Sequence, residues 1–273
     1  MSRPILAITG MHRSGTSLLS QYLSECGLLV GQALLDGGVV SESSRGGHHE
    51  DEEFVELHKK ILGDNHSSIF VTSERRLPLK VSARRRQRSA KLLKARQDWP
   101  QWGWKDPRTA LLLDLWAGES DRIKFLFIFR EPLQVTDSLL RRGRNKMITQ
   151  EPAIALQSWL VYNRQILDFA RRYPSRTLLV EVEDFIAQPE TVTSALSDRF
   201  GFDMPAVPLE NFFSEGSFKR SRSLAVETLA KTEYGLLASC LNTYESLKTK
   251  SLKTESLKRE SLRARPSLQF SKV

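Results

Sequence analysis

The residues best suited to chemistry in this sequence sit in a glycine-punctuated turn. Gly10-Met11-His12-Arg13-Ser14-Gly15-Thr16-Ser17 follows a short apolar run, Ile5–Thr9, and leads into a helical pattern. A strand–turn–helix of this kind aims several backbone N–H groups, and the positive end of a helix dipole, at one point. Such a point attracts phosphate. The spacing Gly10-x-x-x-x-Gly15-Thr16-Ser17 is that of a nucleotide-triphosphate loop, but threonine stands at 16 where that loop carries lysine. Arg13 is the cation inside the turn. The predicted chemistry is anion binding that departs from the ordinary ATP arrangement.

A second cluster follows the apolar run Lys124–Phe129: Arg130 ends it, Pro132 pre-sets a helical turn, and Ser138 lies two turns along. An arginine at a strand's carboxyl end offers a bidentate fork to phosphate, and a nearby hydroxyl adds a donor. The bland alternative is an arginine reaching out from the edge of the core, with a surface serine. Two further segments stand at strand-to-helix junctions, Trp104-Lys105-Asp106-Pro107-Arg108 and Val182-Glu183-Asp184-Phe185, the latter closing an apolar run from Thr177.

These elements must be positioned by a sheet. Ile5–Thr9, Gly103–Lys105, Lys124–Phe129 and Thr177–Glu183 read as strands buried on both faces. Helices are expected over Ser17–Cys26, Asp51–Leu62, Arg108–Trp116, Pro132–Arg142, Ala153–Arg172 and Glu190–Phe200. His58 falls on the repeating face of the second of these, with Phe54, Leu57 and Ile61, and reads with His66 as an ordinary histidine. Alternating strands and helices predict an α/β fold, a mostly parallel sheet flanked by helices, with the ligand at the strands' carboxyl ends.

Taken together, the motifs resemble the sulfotransferase superfamily. The resemblance rests on Arg13-Ser14-Gly15-Thr16-Ser17, on Arg130 with Ser138 eight residues later, on the Lys105-Asp106-Pro107 segment and on Val182–Phe185, over roughly residues 4–200. It implies a three-layer fold like that of P-loop NTPases and the co-substrate 3′-phosphoadenosine 5′-phosphosulfate (PAPS). Arg13, Ser14, Gly15, Thr16 and Ser17 would hold the 5′-phosphosulfate, and Arg130 and Ser138 the 3′-phosphate. Arg13 and Lys105 would stabilise charge during transfer, and no metal is required. The base that activates the acceptor hydroxyl would come from Gly46–Glu53, with Glu50 in the matching place and His48 and His49 as rivals. The acids at 50–53 also suit the first turn of a helix. Farther on, Phe218–Arg222 could present basic residues to the nucleotide or be a solvated turn.

Composition sets the outer limits. The chain has 273 residues, 40% hydrophobic and 27% charged, with two cysteines that form no motif. Absence of a signal peptide or a long apolar run predicts a cytoplasmic protein. The formal net charge is +9. From Ser246 to Val273 there are eight Lys/Arg and two Glu, and Arg75 to Arg96 holds ten Lys/Arg and no acid. Phe270 is the one aromatic residue in the two blocks, too few to stack on successive bases, so nucleic acid is not the expected partner. The Arg75–Arg96 block reads as a solvated basic helix beside an anion site. Residues 246–265 repeat a Ser-Leu-(Lys/Arg) pentapeptide, whose leucines form no stripe on a helix. The expected division is a catalytic domain over 1–245 and a disordered basic tail over 246–273, open to an acidic partner or a membrane surface. The acceptor, whether small molecule, glycan or peptide, is not written in the sequence; its specificity falls to residues 31–49 and 63–100. The competing readings are a P-loop kinase of small molecules and a catalytically inactive nucleotide-binding or interaction module.

Overall fold

Every residue of the first predicted strand is buried, and its side chains divide between two cores. The computed structural model describes residues 3–31, 50–74, 77–143, 145–211, 213 and 223–252. Strand β1 (Ile5–Thr9) pairs in parallel with β3 (Trp102–Lys105) on one side and β4 (Ile123–Phe129) on the other. The sheet is completed by β2 (Leu29–Val30) beside β3 and β5 (Thr177–Glu181) beside β4, giving the order β2-β3-β1-β4-β5, all parallel.

Alternation along these strands builds three layers. Ile5 and Ala7 of β1, with Phe125, Phe127 and Phe129 of β4, face an aromatic-rich core under α2 (Glu52–Asp64), α4 (Leu113–Glu119), α7 (Ala153–Arg172) and α11 (Tyr234–Lys250). Leu6 and Ile8 of β1, with Leu126 and Ile128 of β4, face an aliphatic core under α1 (Thr16–Glu25), α8 (Val182–Ala187) and α9 (Glu190–Phe200). Each buried Phe or Leu contributes about 2 kcal/mol of transfer free energy. The remaining helices are α3 (Ala83–Ala95), α5 (Pro132–Arg142), α6 (Lys146–Gln150) and α10 (Leu224–Thr232).

The parallel α/β expectation therefore holds, with local corrections. The helix read over Arg108–Trp116 is a 3-10 turn, Pro107–Leu111, broken at Leu112 (φ −129°) before α4 begins. Thr177–Glu183 is a strand only as far as Glu181. Val182 and Phe185 are spaced to bury on the aliphatic core, and Glu183 and Asp184 favour the first turn of a helix, so α8 starts there. The first pentapeptide of the expected tail, residues 246–250, forms the end of α11. Leu247 is buried there in the aromatic core, so the boundary at 245 falls inside a helix. Residues 253–273 lie outside the described residues. The basic block contributes α3, whose Arg85 and Arg88 pair with Asp64 and Glu53, while Arg96 just beyond it pairs with Asp51 and Glu53. Among the described residues, no helix is long and apolar enough to cross a membrane.

Candidate active site

Because the sheet is parallel, the carboxyl ends of β1, β3 and β4 open on one side of the molecule. The chain direction across the sheet reverses around β1, where such folds form their binding crevice. Three turns meet there.

The turn after β1 is built around the backbone. Gly10 crosses so close to β4 that a Cβ would drive into the Ile128 carbonyl oxygen. Arg13 takes a left-handed conformation (φ 71°), as does Gly15 (φ 96°), and α1 starts at Thr16, one residue before the sequence reading. Like α4 and α7 to α11, α1 has no side-chain cap, and its first turn carries no acid. Its first N–H groups thus lack intrahelical acceptors and stay available to an anion. Among the described residues, the buried Ser14 hydroxyl has no hydrogen-bond partner.

The turn after β4 comes to the same place. Arg13 Nε donates to Ser138 Oγ at 3.0 Å, joining the two clusters across 125 residues of sequence. Arg130 is 4% exposed; its Nε donates to Gln134 Oε1 at 2.8 Å, and its carbonyl accepts from Trp159 Nε1 at 3.0 Å. Partial burial, with the charges of Arg142, Arg130 and Arg141 close by, pushes the Arg13 guanidinium down to about 10. Burial also lowers Arg130, opposed by Glu183 and reinforced by Arg141. Here cations crowd one another, and an incoming dianion would relieve them.

The turn after β3 is organised differently. Lys105, 1% exposed, donates from Nζ to Glu50 Oε1 at 2.9 Å. Arg108 Nη1 reaches Glu50 Oε2 at 3.5 Å and Asp106 Oδ1 at 2.8 Å. Asp106 Oδ1 also accepts from the Arg108 backbone N–H at 2.9 Å, and its Oδ2 lies 2.7 Å from His58 Nδ1. Burial pushes the Asp106 carboxyl up, but the His58 hydrogen bond and Arg108 outweigh it and hold the group well below the usual carboxylate range. Burial lowers Lys105, with Glu50 partly offsetting it. For Arg108 the balance reverses: Asp106 and Glu50 overcome burial and raise it. Behind Glu50, Arg96 bonds Asp51 at 2.9 Å and so fixes the cap of α2 next to the candidate base.

Glu50 and Lys105, assigned separately to base and cation, thus form one ion pair. His48, His49 and Phe218–Arg222 lie outside the described residues. The reading of His58 as an ordinary helix-face histidine is corrected: it is wholly buried, with a partner on each ring nitrogen, Asp106 and Trp116. A polar residue inside the apolar stripe Phe54–Leu57–Ile61 was the available signal. His12, in the first turn, has its Nε2 sealed from solvent without a partner; burial and nearby Arg108 push it down to about 3, so it is neutral.

The strand order and the turn after β1 define an α/β protein of the P-loop-like class. The family follows from comparison. The model of the sulfotransferase family matches residues 4–206, and the chain belongs to that family. Sulfotransferase STF9 from Mycobacterium avium is similar in structure (TM-score 0.57, 15% identity, covering 93% of this chain and 78% of that one). So is the sulfotransferase domain of the olefin synthase from Synechococcus PCC 7002 (TM-score 0.52, 20% identity, covering 93% and 97%). These likenesses establish the fold. Comparison with curated proteins gives no match.

Proposed function

We propose that this protein transfers the sulfuryl group of PAPS to a hydroxyl or amine of an acceptor, whether small molecule, glycan or peptide. The observation that carries the proposal is the Arg13–Ser138 hydrogen bond. It brings the segments that would hold the two ends of the nucleotide into one crevice, beside the Lys105–Glu50 pair.

In this reading, the N–H groups of residues 14–17 and the hydroxyls of Ser14, Thr16 and Ser17 hold the 5′-phosphosulfate, with Arg13 above it. Arg130 and Ser138 hold the 3′-phosphate. Transfer forms a bond from sulfur to the acceptor oxygen or nitrogen and breaks the one to the bridging oxygen, which leaves on adenosine 3′,5′-bisphosphate. The acceptor proton passes to a base, for which Glu50 is the candidate. Like phosphoryl transfer, this chemistry mainly needs positioning and cations where charge gathers, and Lys105 and Arg108 supply them without a metal. Both oxygens of Glu50 face these cations before substrate arrives. Sulfonate oxygens would compete for the same cations and free the carboxylate to take a proton. The cytoplasmic location expected from the sequence belongs to this proposal.

The test is transfer of radiolabelled sulfur from PAPS into cell extract, with identification of the labelled product. Arg13→Ala and Lys105→Ala should each abolish labelling while the fold persists. Retention of activity in both would reject the site assignment. The kinase reading predicts a larger thermal shift with ATP–Mg than with adenosine 3′,5′-bisphosphate.

A further inference from the structure

We propose that His58 is a positioning residue for the transfer step, holding Asp106 and thereby fixing Arg108 and the Lys105–Glu50 pair at the reacting group. The inference rests on the sulfotransferase reading above.

The geometry defines the state of the ring. The indole N–H of Trp116 can only donate, and its Nε1 lies 2.9 Å from His58 Nε2. His58 Nε2 is therefore the acceptor, and the proton of the neutral imidazole sits on Nδ1. That N–H donates to Asp106 Oδ2 at 2.7 Å. Trp116, His58 and Asp106 are all fully buried. Asp106 Oδ2 is thus held from α2, while Oδ1 takes both the backbone N–H and the Nη1 of Arg108, at 2.9 and 2.8 Å. With donors on both oxygens, the carboxylate plane cannot turn, and Arg108 is held where its Nη1 meets Glu50.

The network thus runs from the aromatic core to the reacting centre. It passes from Trp116 on α4 to His58 on α2 and Asp106 after β3, then to Arg108, Glu50 and Lys105. Packing alone does not require a histidine at this position. The ring lies among Phe54 (6.4 Å between centroids) and Trp116 (5.6 Å), where an apolar side chain would fill the same space. The hydrogen bond is what an apolar side chain would lack, leaving Asp106 Oδ2 buried and unpaired. Trp116 plays the complementary part: by donating to Nε2 it leaves the ring hydrogen on Nδ1, aimed at Asp106. Asp106 is the charged group in contact with the ring; beyond it come Arg108, Glu50 and Lys105, and on the α3 side Arg96, lying over the Phe54 ring.

The decisive experiment has two arms, both on the full chain. In the first, long-range proton–nitrogen NMR of wild-type protein with labelled imidazoles reads the His58 tautomer at about pH 7.5. The Nδ1–H form is expected. An Nε2–H pattern would overturn the proposal.

In the second arm, wild type, His58→Leu and His58→Asn are compared by release of adenosine 3′,5′-bisphosphate from PAPS and by calorimetric binding of that bisphosphate. His58→Leu should lower turnover about 100-fold, the scale of a misplaced catalytic group, while the dissociation constant stays within about threefold. The Asn amide N–H stands near the place of Nδ1–H and should recover at least about tenfold of the turnover lost. Unchanged turnover in His58→Leu, no recovery in His58→Asn, or a parallel loss of binding contradicts the role. If His58→Leu fails to fold, the wild-type tautomer and His58→Asn still decide. A wild-type protein that binds no adenosine 3′,5′-bisphosphate overturns the sulfotransferase reading itself. A ring without the fixed tautomer, in a protein that does bind, overturns only the role of His58.

Discussion

Two cationic regions face the same crevice, and they are neutralised in opposite ways. Around Arg13, Arg130 and Ser138, guanidiniums lie close together; burial and neighbouring arginines lower Arg13 to about 10, and burial lowers Arg130 against the opposing charge of Glu183. Around Lys105 and Arg108, carboxylates of Glu50 and Asp106 occupy the cations, and Arg108 is raised. On the proposed reading, an anion arriving from outside would offset the repulsion in the first region, between Arg13 and its arginine neighbours. The second already holds its counter-charges in a buried network, and an arriving anion redistributes them. A site of the first kind suits binding; one of the second suits a reaction in which charge moves. Affinity should therefore depend on the first region and turnover on the second.

The largest effect should come from removing the backbone on which the binding region rests. Gly10→Ala puts a Cβ into the Ile128 carbonyl, and the turn must move away from β4. It should cost about 3 kcal/mol in urea unfolding and abolish the thermal shift caused by adenosine 3′,5′-bisphosphate. Next come the two cations. Arg13→Ala should weaken bisphosphate binding about 100-fold, since charge-assisted hydrogen bonds are worth about 1.5–3 kcal/mol each. Lys105→Ala should lower turnover about 100-fold or more while leaving that affinity within about threefold. Calorimetry beside steady-state kinetics separates the two, and the reverse pattern would break the comparison.

Smaller effects sharpen it. Ser138→Ala removes one neutral donor and should weaken bisphosphate binding by up to about tenfold, with turnover at saturation unchanged. His12 supplies a pH test. Its folded form is lowered to about 3 from an ordinary 6.5, so below pH 6.5 the unfolded chain binds the extra proton and the folded chain does not. Its contribution is present above pH 6.5 and fades as pH falls toward about 3. His12→Gln should therefore lose less stability than wild type between about pH 7 and about pH 5, by on the order of 1 kcal/mol. Equal losses in urea titrations would contradict the assignment.

Much of the scaffold was legible in the sequence because it is written in local patterns. The run Ile5–Thr9 is apolar as far as Ile8, as a central parallel strand requires, and it forms β1 over those residues. Pro132 starts α5 and a left-handed Gly143 stops it, and α7 and α9 also keep the bounds read from sequence. Two-residue β2 carries no period and exists through pairing with β3. At the site, the residue types that grip anions were visible, but their partners were not. Arg13 meets Ser138 across 125 residues and Lys105 meets Glu50 across 55, distances no local pattern spans. For the same reason His58 read as one more residue on an amphipathic face. Its partner Asp106 lies 48 residues on, and its burial depends on how α2 packs against the 3-10 turn and α4.

Calorimetric titration of adenosine 3′,5′-bisphosphate, without added metal, into wild type and Arg130→Ala bears most directly on the claim that one crevice holds both phosphates of the nucleotide. Tight binding by wild type is predicted. Adenosine 5′-monophosphate should bind at least about tenfold more weakly to wild type, with that difference lost in the variant. Equal affinity of wild type for the two nucleotides, or a preference for ATP–Mg, would contradict it.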